Sequence, residues 1–289
     1  MFSSLLFTGL AVGSIYALIG LALVLVNKAT DVINFGQGEM AMFGTFVMLS
    51  FINLTGLPLP VVICIGFIFG GLLGAATEWL VIRPLASAPP LNVLITTLGL
   101  FFVFNGAAGW IWGYDPFRFP SLLSQTPIDL AGIKFTPANL AIILVALVMM
   151  ALLYAFFEYT REGVAMRATS QNPKAAALMG IKLHRVTAIS WAFAGGMSVT
   201  AGMLIAPLTF LGPNMMIPIL LKGFAGAILG GFGSLPGTVV GCLLLGVIET
   251  MLGAYVSASS KDAFAFLLII AVLMLRPSGI FSSGGSRRV

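Results

Sequence analysis

Long apolar stretches, broken by turn residues rather than by regularly spaced polar ones, set the pattern of this 289-residue chain. Residues 1–27, 40–77, 84–114, 135–157, 186–221 and 223–248 contain no Asp, Glu, Lys or Arg. A helix that crosses a bilayer needs about 20 such residues. Barrel strands alternate apolar and polar positions in pieces of about ten. The pattern therefore predicts spanning helices, over 5–26, 39–54, 60–82, 91–113, 138–158, 186–207, 214–232, 236–256 and 261–276. Gly56-Leu57-Pro58-Leu59-Pro60 separates the second from the third, and Pro84, Pro89 and Pro90 separate the third from the fourth. Gly233-Ser234-Leu235-Pro236-Gly237 turns the seventh back on the eighth. The expected fold is one all-α membrane domain over residues 1–289, a bundle of about eight to ten spanning helices.

Composition agrees. The chain is 59% apolar and 8% charged, against roughly 25% charged residues in soluble proteins. So few charges exclude a water-facing surface, a disordered chain and a nucleic-acid partner; membrane lipid is the expected surrounding. Positive residues orient such a bundle. With 159–186 in the cytoplasm and nine alternating spans, the inner ends carry Lys28, Arg83, Arg161, Arg167, Lys174, Lys182, Arg185, Arg276, Arg287 and Arg288. The outer side carries only Arg118, Lys134 and Lys261, so the N-terminus is expected outside and the C-terminus inside. Trp110, Trp112 and Tyr114 cluster where the fourth span leaves the membrane, as interfacial rings do. Residues 1–4 carry no basic n-region, and 5–26 is too long for a signal-peptide core, so the first segment is expected to stay as a span. Cys64 and Cys242 both fall within spans and match no zinc spacing; they read as packing residues. Gly9 and Gly13, Gly66 and Gly70, Gly226 and Gly230, and Gly237 and Gly241 stand four apart, which predicts close helix contacts in lipid.

Three segments break the apolar pattern. Asp31-Val32-Ile33-Asn34-Phe35-Gly36-Gln37-Gly38-Glu39 is polar and glycine-bearing, then runs straight into an apolar helix. One reading is a discontinuous helix at membrane depth, of the kind that builds transport sites. The other is a cytoplasmic loop whose Glu39 is favoured by the helix dipole. Lys222 and Glu249 lie 12 residues before and 15 after Ser234. At about 1.5 Å per residue their depths are roughly 18 and 22 Å, so they are expected to form an ion pair, structural rather than proton-relaying. The cytoplasmic segment 159–186 holds His184, the chain's one histidine. Thr160 can cap one short helix, Asn172 a second with Pro173 at its first position, and Gly180 is a natural stop.

The run from Arg161 to Gly180 resembles the cytoplasmic motif of bacterial ABC importer permeases of the branched-chain amino acid family. The resemblance covers essentially the whole chain. Its other marks are Gly13-Ser14-Ile15-Tyr16-Ala17-Leu18, Ile33-Asn34-Phe35-Gly36-Gln37-Gly38-Glu39-Met40, Arg83-Pro84-Leu85 and Thr96-Thr97-Leu98-Gly99. The stretch Gly226–Gly237 and Arg276-Pro277-Ser278-Gly279-Ile280-Phe281 complete the set. One departure stands at Gly36-Gln37, where the family often has Ala-His.

That resemblance implies the shorter of two permease subunits in the bacterial inner membrane, paired with a related, heterologous one. It also implies two ATP-binding subunits beneath and an extracytoplasmic solute-binding protein above. Glu162, Gly163, Arg167, Ala168, Asn172, Pro173, Ala175, Ala176 and Gly180 are then the coupling residues that seat in the ATPase. The chain has no G-x-x-x-x-G-K-[ST] phosphate loop, so no cofactor is expected on it and ATP belongs to the partners. Alternating access is the expected mechanism. Asn34, Gln37, Glu39, Thr96, Thr97 and Asn105 are the candidate substrate-pathway residues, offering hydrogen bonds to an amino acid's charged ends. Rival solutes are urea, amides and small aromatic acids. A secondary transporter or channel would need more deep ionisable groups. An enzyme is not expected: His184 stands alone, and Asp31, Asp115, Asp129 and Asp262 lie at or beyond span ends.

Overall fold

A helix that is apolar on every side has no face to give to water, and the first helix is of this kind. In the computed structural model, which describes residues 2–86, 88–130, 133–257, 261–275 and 279–280, α1 (Phe2–Thr30) is the central post. Every residue from Gly13 to Val26 is buried. α2 (Gln37–Thr55), α3 (Leu59–Thr77) and α4 (Pro90–Trp112) follow; α3 continues through a π-helical turn at Glu78–Ile82 and a 3-10 turn at Arg83–Leu85. α5 (Pro137–Tyr159), α8 (Leu183–Thr209), α9 (Ile217–Gly230), α10 (Leu235–Tyr255) and α11 (Lys261–Leu275) complete the bundle, and the short helices α6 (Arg161–Gln171) and α7 (Pro173–Leu178) lie between α5 and α8.

α1 packs against α10, α8, α9 and α5, while α3 packs against α8. Glycines make the closest of these approaches. A Cβ on Gly246 of α10 would collide with Gly13 of α1, and one on Gly195 of α8 with the carbonyl of Gly70 of α3. In lipid, where apolar side chains gain little by leaving the acyl phase, backbone proximity of this kind is what holds helices together.

Each expected span meets a helix. Among the described residues, seven are long and apolar enough to cross a membrane by length and composition; α9 has 14 residues and α11 has 15. α9 is short because the backbone before it is irregular. Phe210 adopts φ 64°, and Leu211 pairs with Phe117 in an isolated bridge. Pro213 and the non-helical stretch up to Met216 delay the helix until Ile217. The sequence pattern also missed a small hairpin between α4 and α5, β1 (Ile128–Leu130) antiparallel to β2 (Ile133–Phe135). Phe135 packs on Phe7, and Asn139 Nδ2 donates to Thr8 Oγ1 over 3.0 Å, so the hairpin sits at the start of α1.

The opposite end of the bundle gathers Lys28 of α1, Glu158 of α5, Arg167 of α6 and Ser234 before α10 around one cavity. Arg83 ends the extended α3 at this same end, since α3 runs antiparallel to α8, with Gly66 against Met203 and Gly74 against Trp191. The charge bias read from the sequence therefore maps onto one end of the structure for Lys28, Arg83 and the 161–185 cations. Arg276, Arg287 and Arg288 lie outside the described residues.

Candidate functional site

Two places concentrate the chain's polar chemistry. The first is the break between α1 and α2. α1 ends at Thr30, and Asp31 takes a left-handed φ of 56°. Asn34 then folds the next turn: its Oδ1 accepts from the Gly36 amide at 3.0 Å, and its Nδ2 donates to Gln37 Oε1 at 2.8 Å. Gln37 Nε2 donates to Ser198 Oγ of α8 at 2.7 Å, so the Gln37 amide is engaged at both ends and braces the start of α2 against α8. Thr97 Oγ1 donates to its own helix at Leu94 O and lies 3.4 Å from Ile33 O.

Asn34, Gln37, Glu39 and Thr97 are all buried. Contacts to α4 fix their depth. Gly36 sits against Thr97 and Leu100, and Glu39 meets Asn105. At about 1.5 Å per residue those positions are roughly 10, 15 and 22 Å along α4 from Pro90. The stretch from Asn34 to Glu39 is thus packed inside the bundle rather than solvated, while Asp31 at its start is exposed. Unwound backbone survives at such depth because protein satisfies it.

Glu39 stands in the first turn of α2, where the helix dipole favours a negative charge. Asn105 Nδ2 donates to Glu39 Oε2 at 3.1 Å and also faces Pro213 O at 3.0 Å and Asn214 Oδ1 at 3.2 Å. An amide NH2 has two hydrogens, so three acceptors compete for it where α2, α4 and the segment before α9 meet. Glu39 Oε1 is buried and receives no hydrogen bond from the described residues. Thr96 does not join this cluster. Its hydroxyl bonds Asn92 O on its own helix, and its side chain lies on another face of α4 from that of Thr97. The residues that sequence reasoning missed here are Ser198 and Asn214; nothing separates them in sequence from the other polar positions of the chain.

The second place is the α6–α7 helix pair. The Gly163 amide donates to Thr160 Oγ1 at 3.0 Å, and the Ala175 amide donates to Asn172 Oδ1 at 3.0 Å. Pro173 opens α7, and Gly180 leaves it with φ 84°. Ion pairs tie α6 to the bundle: Arg167 with Glu158 of α5, and Arg185 of α8 with Glu162 at 2.6 Å. Gly163 and Ala176, both expected in the coupling set, are buried. A Cβ at Gly163 would stand 2.5 Å from the Phe156 and Phe157 carbonyls, so this glycine is needed for packing on α5 and presents nothing outward. Asn172, Pro173 and Ala175 are exposed, with Glu162, Arg167 and Ala168 half-buried. Sequence reasoning passed over the two most prominent residues. Leu178 is 89% exposed and Met179 83%, an apolar tip beside Gly180 and outside the spans. The signal was available, as paired apolar residues just before a helix stop.

A third polar feature is the deep ion pair. Lys222 Nζ of α9 stands 2.6 Å from Glu249 Oε1 of α10. Tyr16 of α1 donates its hydroxyl to Glu249 Oε2 at 2.9 Å, and Lys222 Nζ sits 5.8 Å from the Tyr16 ring centre. Lys261 at the start of α11 approaches Glu249 Oε1 at 3.9 Å. The charges thus join α1, α9 and α10 and face α11. Among the described residues, no group of three His, Cys, Asp or Glu is placed to hold a metal ion.

A multi-pass apolar bundle that buries hydrogen-bonded, non-helical backbone at mid-depth has the architecture of a membrane transport protein. Comparison with known proteins gives the family. Residues 5–273 match the family described as branched-chain amino acid transport system / permease component. The high-affinity branched-chain amino acid transport system permease protein LivH of Salmonella typhimurium is 31% identical over 290 residues, covering 95% of this chain and 94% of its own. BraD of Pseudomonas aeruginosa, described in the same words, is 29% identical over 288 residues, covering 95% and 94%. The probable branched-chain amino acid transport permease protein LivH of Methanocaldococcus jannaschii is 28% identical over 292 residues, covering 92% and 88%. No solved structure matches the chain significantly. The chain belongs to this family of membrane permease components.

Proposed function

We propose that the chain is the translocation subunit of an ABC importer for branched-chain or related small amino acids in the cytoplasmic membrane. Its α6–α7 lever would seat in a cleft of a partner ATPase. The observation that carries this reading is the apolar tip at Leu178 and Met179, held beyond the spans on two capped helices and tied back by ion pairs. An apolar knob on a rigid arm is a docking element. A solvated linker has no use for either the caps or the exposed apolar side chains.

The basic end is then cytoplasmic, in keeping with the positive-inside bias, and the N-terminus lies outside. ATP closes the partner ATPases and draws the two levers of a permease pair together. The pull reaches the bundle through α5 and α8, which carry the lever's ion pairs. α8 in turn holds Gln37 through Ser198, so motion of α8 acts directly on the polar break. ATP shifts the opening only through its different affinity for the two states. At the break, Glu39 Oε1 is a buried acceptor with no donor among the described residues. It suits the ammonium of an amino acid, and a buried acceptor left unpaired costs about 1–3 kcal/mol that such a donor would relieve. A second, related permease, two ATPases and an extracytoplasmic binding protein complete the proposed assembly. The names of the relatives favour branched-chain solutes over urea, amides or aromatic acids.

The test is co-purification. Tagged wild-type chain taken from its native membrane should bring down ATP-binding subunits. Leu178→Asp with Met179→Asp should lose them while keeping the wild-type elution profile and melting point. Retention of the ATPases by that variant would contradict the docking role.

A further inference from the structure

α5 and α10 both pack on α1 but hardly meet one another. Between them runs a cavity of about 670 Å³, floored by Leu21 and Leu25 of α1 and walled by Leu147 and Met150 of α5 and by Val239 and Val240 of α10. That volume lies within the roughly 300–1,000 Å³ of small-molecule sites. Its lining on α5 runs from Leu147 to Glu158, on α1 from Leu21 to Ala29 and on α10 from Leu235 to Val240; the α5 stretch is the longest. Eleven residues at about 1.5 Å each give roughly 16 Å, and one leaflet of a hydrocarbon core about 30 Å thick is roughly 15 Å deep. The walls are mainly apolar along this length, and the charged groups collect at the basic end; the polar residues further in are Tyr154 and Ser190, whose hydroxyl donates to Val186 O.

Charge at that end is unequal. Arg167 is neutralised by Glu158. Lys28 is half-buried at the last turn of the most buried helix, yet no carboxylate among the described residues lies within 4 Å of it. Ser170 and Ser234 add hydroxyls nearby. A groove whose α5 wall is about one leaflet deep, closed by an ammonium with no carboxylate partner among the described residues and by hydroxyls at headgroup level, fits an amphiphile with an anionic head. Basic pockets between spanning helices bind lipid heads in this way.

We propose that the α5–α10 groove holds one anionic phospholipid, its phosphate against Lys28 and one acyl chain laid along Leu25, Leu147 and Val239. The lipid fills a gap that helix contacts leave open and joins α5, the anchor of α6, to α10. Only the choice of leaflet rests on the orientation proposed above; the groove and its charge do not depend on what the chain transports.

The experiment uses the full chain in mild detergent. Bound lipid is measured by native mass spectrometry. After delipidation, melting is followed with added phosphatidylglycerol, phosphatidylcholine or inorganic phosphate. Wild type should retain one anionic phospholipid and be stabilised by phosphatidylglycerol, and not by phosphatidylcholine or phosphate alone. Lys28→Gln should lose the preference for the anionic head. Ala151→Trp from the α5 side and Val240→Trp from the α10 side should each exclude the lipid; two variants are used because either substitution alone could impair folding. Wild type without bound lipid, as expected if another protein's helix fills the groove, would overturn the proposal. So would equal stabilisation by phosphatidylcholine or by free phosphate, or undiminished anionic lipid in Lys28→Gln and both tryptophan variants.

Discussion

Charged groups are rare enough in this chain that each buried one is informative. Lys222 and Glu249 sit 2.6 Å apart with Tyr16 on the second carboxylate oxygen. Removing one member of a buried pair strands the other, at a cost of about 3–5 kcal/mol, whereas replacing both with apolar residues is often near neutral. Lys222→Met and Glu249→Met alone should therefore each lower the unfolding free energy by about 3 kcal/mol or more. The double variant should be more stable than either, as read by denaturant or thermal unfolding in detergent. A double variant worse than both singles would mean that the charges have a role beyond pairing with each other. Glu39 is the contrasting case, since its Oε1, which receives no hydrogen bond from the described residues, gives no stability that a glutamine would lose. Glu39→Gln should leave the melting point close to wild type and cut solute uptake by the reconstituted assembly at least about tenfold, equivalent to about 1.4 kcal/mol of lost recognition. Unchanged uptake would remove Glu39 from the pathway.

Helix caps and glycine contacts act at the scale of elements. Thr160 and Asn172 each satisfy an amide at the start of a lever helix. Thr160→Ala or Asn172→Ala should cost about 1 kcal/mol, visible as faster amide exchange confined to residues 161–178 with the spans unchanged. Gly246→Leu should instead part α1 from α10 and prevent stable folding, because its side chain would have to occupy the Gly13 backbone; wild-type expression and melting would contradict that packing. These elements also show what the sequence made legible. The lever could be read because caps, Pro173 and Gly180 act through neighbours three or four residues away, as local physics written in local sequence. The ion pair could be read because depth follows from counting residues to a turn. Less could be read where the third dimension decides. Gln37 is a brace only because α8 brings Ser198 to it, and Thr96 and Thr97 differ only by the face of α4 they occupy. α9 falls short of a span because its entry segment pairs with the α4–α5 connection at Phe117, a contact almost a hundred residues away in sequence.

At the scale of the whole molecule, the central post α1 links every part with a proposed role. It carries Lys28 at the groove, Tyr16 on the deep ion pair and, just past its end, the polar break that begins α2. The α6–α7 pair touches the post directly through α6 and rests mainly on α5 and α8. In the proposed mechanism the outer helices would move against α1, with partner ATPases as the source of force. The most direct measurement is leucine uptake into vesicles holding the permease pair and its ATPases, with the binding protein outside and ATP or a non-hydrolysable analogue inside. Uptake that needs hydrolysable ATP and disappears with Leu178→Asp and Met179→Asp is the predicted result. Equal uptake by this chain alone, without nucleotide or companion subunits, would contradict the account.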